Sequence, residues 1–449
     1  MYRIIVIAAV FLLLLSGCIR HSLDPTISYY NNNVLLPTLE FSTSEVTDVY
    51  VDYWPKDHRD RMQRSRESTG KEHRIILVGV TPSTTYDYTI HTSNPERVTN
   101  TLSFTTAQLP AGVTQIKKQL IDTTQFEGYV LVRRLSPRGV DVMLNNAGDI
   151  VWYHMYDSVV RRPFNWTSKN TLLSEYDTAR IVEYDLYGDV VFDLDLKKHN
   201  IPNMLHHDAV LNAKGEIVAL TYDSVKMDLR EFGYGKDQYI LGDGIVVLTP
   251  DGEKVSDWNI LNVYNPRDYP NSKLDLSHSL GHANSIAIAS DGNYVVSFRD
   301  FSQVWKINSS DGSVMWKLGE GGNLKLDKEG YFLRQHAVSF NENGELMLFD
   351  NGDRKIRSES RVLAFAIDEK NRQALLTTNV VLSRELSAEK MCSAVMIKPG
   401  KYLVCTTKKN GIITVINDKA EVLWRVDLSN PSYRAYYLQD PFSIKQNTE

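Results

Sequence analysis

Residues 282–299 read His282-Ala283-Asn284-Ser285-Ile286-Ala287-Ile288-Ala289-Ser290-Asp291-Gly292-Asn293-Tyr294-Val295-Val296-Ser297-Phe298-Arg299. A second stretch runs Val304-Trp305-Lys306-Ile307-Asn308-Ser309-Ser310-Asp311-Gly312-Ser313-Val314-Met315-Trp316. Each is an apolar strand, an Asp-Gly turn and another apolar strand. Asp-Gly and Asn-Gly supply the positive φ that tight hairpins need. The pattern recurs from about residue 120 at Asn146-Ala147-Gly148-Asp149, Tyr187-Gly188-Asp189, Ala213-Lys214-Gly215-Glu216, Pro250-Asp251-Gly252-Glu253, Glu342-Asn343-Gly344-Glu345 and Lys398-Pro399-Gly400-Lys401. Alternate turns lead into a strand ending in Trp, as in Ile150-Val151-Trp152, Val255-Ser256-Asp257-Trp258 and Val422-Leu423-Trp424. Two hairpins make one four-stranded unit, and units of ~50 residues in series are the mark of a β-propeller. Six units are predicted, centred near residues 130, 175, 235, 300, 350 and 410. The one stretch read as a short helix is Ser383 to Met391.

Composition agrees and excludes several classes. The chain has 449 residues, and 42% of them are hydrophobic, enough for a large core. Fifty Lys and Arg stand against 55 Asp and Glu, a net charge of −5 that gives no case for nucleic acid. Three cysteines exclude a disulfide framework.

The N-terminus reads as an address. Met1-Tyr2-Arg3 precedes the apolar run Ile4 to Leu15, and Ser16, Gly17 and Cys18 follow. This is a signal peptide, too short to span a membrane stably. Leu15-Ser16-Gly17-Cys18 resembles the bacterial lipobox, which implies cleavage before Cys18, lipidation of its thiol and a lipid anchor. Ile19 rather than Asp after Cys18 favours retention at the outer membrane, in the oxidising periplasm. The other reading is an ordinary signal peptide with a chance cysteine.

The expected organisation is a signal peptide at 1–17, a polar Asn-rich tether at 18–35, a small β domain at 36–110 and the propeller at 111–449. In the β domain, Val49 to Trp54, Arg74 to Val78, Tyr86 to Ile90 and Thr101 to Thr105 alternate as strands. The stretch from Val80 to Tyr88, closing at Phe104-Thr105-Thr106, resembles a fibronectin-type-III sandwich. Lys56 to Arg74, dense in both signs of charge, reads as a solvated hairpin loop.

Aligning the units on their first Gly brings polar residues into one register. Eight residues before Gly215 is His207; before Gly292, Asn284 with His282 two further back; before Gly344, His336; before Gly400, Cys392. Arg299 ends the return strand after Gly292, and Thr406, Thr407 and Lys408 end the one after Gly400. Innermost strands of a propeller line its channel, so these residues converge on one mouth. Asp208 directly follows His207 and is expected on the opposite strand face. Imidazole serves as base, acid, nucleophile or metal ligand. A three-His metal site is one reading, but the Arg guanidinium repels a cation and its fork matches a tetrahedral oxyanion. No metal or cofactor is therefore expected. Cys392 and Cys405 read either as a pair or as two buried thiols. Tyr433-Arg434-Ala435-Tyr436-Tyr437 reads as a blade-closing strand or an aromatic cap on the channel.

The segments His206-His207-Asp208, His282-Ala283-Asn284-Ser285 with Ser297-Phe298-Arg299, and Gln335-His336-Ala337 together resemble the bacterial arylsulfotransferases. That resemblance implies an all-β fold, a six-bladed propeller with a small β domain. It also implies ping-pong transfer of a sulfuryl group from an aryl sulfate to a phenol through a sulfated histidine. It makes His336 the nucleophile, has Arg299, His282 and Asn284 hold the sulfuryl oxygens, and gives His207 the leaving-group and acceptor protons. Thr406 joins the substrate-binding set. Expected partners are small aryl sulfates and phenols, the membrane through the lipid, and a second copy through the N-terminal domain. The competing classes are a non-enzymatic scaffold lipoprotein and a metal-dependent hydrolase on the same propeller.

Overall fold

The computed structural model describes residues 23–113, 116–135, 139–156, 164–266, 276 and 278–443. The signal peptide and Cys18 lie outside the described residues. The described chain falls into two compact units. One comprises residues 23–28, 37–76 and 85–105, the other 29–36, 77–84 and the chain from 106 onward.

The first unit is strand-rich, and its seven strands are linked by hydrogen bonds into one connected sheet. The 19-residue strand Pro37–Pro55 is the reason. It pairs with Ser68–Ile76 along most of its length and with Thr85–Ser93 over Val49 to Pro55. About half of the charged stretch 56–74 is strand rather than loop. Gln63–Arg64 and Ser68–Ile76 are strands of this sheet, and Arg64 grips Asp52 through two guanidinium nitrogens at 2.7 and 3.1 Å. The tether also acquires structure: Thr26–Tyr29 joins the sheet as a strand. Beyond it, the amides of the Asn run are used as anchors. Asn31 Nδ2 donates to Asp189 (3.0 Å) and Asn33 Nδ2 to the Tyr153 carbonyl (3.0 Å).

The second unit is a six-bladed propeller of four-stranded antiparallel blades. Blade 2 is Phe164–Trp166, Leu172–Asp177, Arg180–Tyr184 and Val190–Asp195. Blade 3 is Met204–Leu211, Ile217–Met227, Gln238–Leu248 and Lys254–Asn259. Blade 4 is Ala283–Ile288, Tyr294–Phe298, Gln303–Ile307 and Val314–Gly319. Blade 5 is His336–Phe340, Leu346–Asp350, Arg361–Asp368 and Gln373–Val381. Blade 6 is Ser393–Lys398, Lys401–Thr406, Ile412–Asn417 and Val422–Leu428, with Ile116–Leu120 added outside. Blade 1 takes Tyr129–Arg134, Val140–Asn145 and Ile150–Met155 from the start of the unit and its innermost strand, Ala435–Leu438, from the end. The aromatic C-terminal stretch is thus the closing strand. Gly292 and Gly312 sit at φ +81° and +73°, as their hairpin turns require. The stretch 383–391 makes a single turn instead of a helix, because the Ser387 hydroxyl pins it to the Ser360 backbone N–H.

Two rings of hydrogen bonds close the blades on one another. Outside, at four of the six seams, the Trp of the blade's own outermost strand donates to the next blade: Trp152 to Leu186 O (2.6 Å), Trp258 to Gly312 O (2.9 Å), Trp316 to Glu369 (3.1 Å) and Trp424 to Asn146 O (3.0 Å). A buried indole N–H needs such a partner. Inside, each innermost strand is clasped to its neighbour. Tyr436 OH donates to Phe164 O (2.5 Å), Asn165 Nδ2 to Ala209 O (2.6 Å), Ile286 N to Asp208 Oδ2 (2.9 Å) and Val338 N to Ser285 Oγ (2.9 Å). His336 Nδ1 meets Cys392 O at 2.8 Å, and Ala435 N donates to Ser393 Oγ (3.1 Å). Asp208, Ser285 and Ser393 each stand one residue after the polar register of the sequence. That is why they face the seam between blades.

Candidate active site

The innermost strands do not run straight into the mouth. His207 has φ +59°, His282 +52°, Ala337 +55° and Cys392 +80°. Left-handed backbone at non-Gly residues is sterically disfavoured and concentrates at functional sites. Here it accompanies breaks in pairing. Between Leu205↔Thr221 and Ala209↔Ala219 three residues oppose one, and irregularities also fall at Ala283/Ser285 and His336/Ser339. Such bulges re-aim side chains.

Four rings are brought together. His207 and His282 meet edge to face with centroids 5.0 Å apart, His207 lies 6.4 Å from Tyr433, and Tyr433 lies 4.8 Å from His336. His336 is buried, 4% exposed. Its Nδ1 is bonded to Cys392 O, which can only accept, so Nδ1 carries the proton. Nε2 then holds the lone pair and accepts from the Tyr433 hydroxyl at 2.8 Å. The Tyr433 hydroxyl has a second acceptor, Asn284 O, at 3.2 Å. Burial pushes the His336 pKa well below the usual imidazole value, and the Arg434, His282 and Arg299 charges add to the effect. Burial likewise raises the Tyr433 pKa, keeping it a neutral donor.

Arg299 and His282 face each other by register: Arg299 N donates to His282 O (3.1 Å). The Arg299 guanidinium also pairs with Asp300 (2.8 Å). Burial lowers the His282 pKa, opposed by Asp300 and assisted by Arg299 and His278. Asn284 is fully buried, and its side-chain amide donates to Gln335 O (2.8 Å) while its backbone carbonyl accepts from Tyr433 and Arg434. Asp208 turns away from the mouth and holds Arg434 at 2.8 Å.

Thr406 is buried beneath the mouth beside Cys392 and accepts from Lys408 N at 3.4 Å. Of the two readings of Cys392 and Cys405, the structure has the buried free thiols. Pairing puts Ser393, not Cys392, opposite Cys405, and the left-handed turn at Cys392 aims its Sγ at Lys390 O (3.4 Å). The Cys405 Sγ points to Ser432 O (3.7 Å). Burial pushes the Cys392 thiol up to about 11. Among the described residues no group of three or more His, Cys, Asp and Glu is arranged to hold a metal ion.

Sequence reasoning did not assign Tyr433 or Arg434 to the site. The signal was present in the repeat. Blade 1 supplies only three strands near residue 130, so the C-terminal strand had to complete it. Tyr433 and Arg434 directly precede the closing strand Ala435–Leu438, as His282 directly precedes Ala283–Ile288.

Among curated proteins none matches the chain by sequence. A crystal structure of a protein of unknown function from Bacteroides caccae aligns at 13% identity with a TM-score of 0.43, covering 69% of this chain and 98% of that one. Dihydro-heme d1 dehydrogenase NirN aligns at 11% and 0.35, covering 73% and 81%. Virginiamycin B lyase from Staphylococcus aureus aligns at 11% and 0.33, covering 70% and 99%. At such identities and scores they bear on neither fold nor activity here. The sequence model of the arylsulfotransferases (ASST) matches residues 113–434, which contain His207, His282, Arg299 and His336. The chain belongs to the arylsulfotransferase family.

Proposed function

We propose that the protein moves a sulfuryl group from an aryl sulfate ester to an acceptor phenol in two steps, through His336 sulfated on Nε2. The observation that carries this is the state of His336. Its proton is held on Nδ1 by Cys392 O, and burial among cations keeps the ring neutral, so Nε2 is a ready nucleophile. The Tyr433 hydroxyl stands 2.8 Å from Nε2, where the sulfur of a donor would sit, and swings to Asn284 O when displaced. In the first step Nε2 forms a bond to sulfur and the S–O bond to the phenolate breaks. In the second, the acceptor oxygen takes the sulfur and Nε2 recovers its electron pair. Sulfuryl transfer, like phosphoryl transfer, needs mainly positioning and charge stabilisation. Arg299, His282 and Asn284 hold the sulfuryl oxygens, and His207 gives and takes the phenol protons.

The test is incubation with 4-nitrophenyl sulfate. Phenol-dependent release of nitrophenolate and a sulfated His336 peptide in mass spectrometry are expected. His336→Asn, whose amide can replace the Nδ1 donor, should lose both. A wild-type protein that shows neither refutes the reading. We also propose, from the Leu15-Ser16-Gly17-Cys18 tetrad, that the mature chain is lipid-anchored through Cys18 in the periplasm. The mass of the mature N-terminal peptide decides this.

A further inference from the structure

His206 and His207 are adjacent in a strand, where successive side chains ordinarily point to opposite faces. Their Nδ1 atoms are nevertheless 2.8 Å apart. The left-handed φ of His207 and the three-against-one bulge turn the two rings onto each other. His206 is fully buried and lies flat on Tyr222, with centroids 3.8 Å apart and planes 10° off parallel. Its Nε2 is 2.9 Å from the Thr221 carbonyl and 3.5 Å from Asp243 Oδ1. A carbonyl only accepts, so His206 Nε2 carries the hydrogen. In the neutral ring Nδ1 is then bare, and the 2.8 Å contact requires the hydrogen on His207 Nδ1. The tautomer of one ring dictates that of the next. Tyr222, Asp243, His207 and the Thr221 carbonyl all face His206. Burial pushes the Asp243 carboxyl up to about 7, and Asp243 Oδ2 also accepts from Ala283 N (2.8 Å), beside His282.

We propose that His206 is a positioning residue that locks His207 in its Nδ1–H tautomer, leaving the Nε2 lone pair to take the acceptor's proton. The inference rests on the sulfuryl-transfer reading above for its consequence, though not for its geometry. In the second half-reaction the phenol O–H proton passes to His207 Nε2, the phenol oxygen bonds to sulfur, and the S–N bond electrons return to His336 Nε2.

Long-range nitrogen–proton correlation on full-length protein with 15N-labelled histidine reads the tautomers without any assay of activity. His207 should show the Nδ1–H pattern and His206 the Nε2–H pattern. His206→Phe, which keeps a ring on Tyr222, should abolish the His207 pattern. In single-turnover discharge of the sulfated enzyme, phenol should react about 100-fold more slowly in His206→Phe. Pentafluorophenol, already ionised at neutral pH, should lose far less, and His206→Gln should recover part of the phenol rate. An Nε2–H pattern at His207 in the wild type overturns the proposal, as does an equal loss with both acceptors. Failure of His336 to become sulfated would instead sink the functional reading and leave the tautomer result standing.

Discussion

Asp208→Asn changes one oxygen to nitrogen at a site where every partner is a donor. Asp208 Oδ1 accepts from Asn165 Nδ2 (2.7 Å), and Oδ2 accepts from Ile286 N (2.9 Å) and faces Arg434 at 2.8 Å. The carboxylate is fully buried and Arg434 is 7% exposed. An amide of the same shape points its N–H groups at one of these donors and leaves the Arg434 cation without its counter-ion. Breaking a buried pair from one side costs about 3–5 kcal/mol. With a slope of about 3 kcal/mol per molar, the urea midpoint of the propeller transition should fall by about 1–1.7 M. Arg434→Met should cost about 3 kcal/mol by stranding the carboxylate. The double variant should be less harmed than the sum, with a coupling of about 2–3 kcal/mol. Equilibrium urea unfolding followed by Trp fluorescence measures all three. A loss below about 1 kcal/mol in Asp208→Asn, with additive behaviour in the double variant, would refute the reasoning.

Other outcomes are expected on the same grounds. A depressed His336 pKa means that the neutral nucleophile survives into acid, so the acidic limb of the burst with 4-nitrophenyl sulfate should lie below the ordinary imidazole value of ~6.5. In Arg434→Met that limb should move up, since one of the depressing charges is gone, and a limb at or above ~6.5 in the wild type contradicts the assignment. Thiol titration at about pH 8.5 should find Cys392 and Cys405 unreactive in the native protein and both reactive in urea, because burial raises both. Trp424→Phe removes the bond to Asn146 O between the last blade and the first and should cost about 1–3 kcal/mol in the same urea assay, with little change in the sulfation of His336.

The propeller was legible because its signals are local. Asp-Gly turns fix hairpins, and a strand ending in Trp carries an indole that must find a neighbour, so blade number and boundaries follow from spacing. The register of His207, His282 and His336 was legible for the same reason. What escaped was set by distant parts of the chain. Tyr433 reaches His336 only because the C-terminus closes blade 1, and the adjacency of the His206 and His207 rings depends on a bulge that alternation alone does not announce. In the first unit alternation locates strands without saying which of them share a sheet. The long strand Pro37–Pro55 joins what period two would divide. Cys392 and Cys405 lie close in register, but a positive φ, invisible in composition, turns the thiols apart.

The bond from His336 Nδ1 to Cys392 O is one of the six inner clasps, so the imidazole is a keystone as well as the reagent of the proposed reaction. Its two nitrogens divide these tasks. In the proposed reaction a sulfuryl group arriving on Nε2 leaves the Nδ1 bond between blades 5 and 6 in place. The same economy makes truncation ambiguous. His336→Ala removes the masonry together with the chemistry, and only a replacement that retains a donor at the Nδ1 position separates the two.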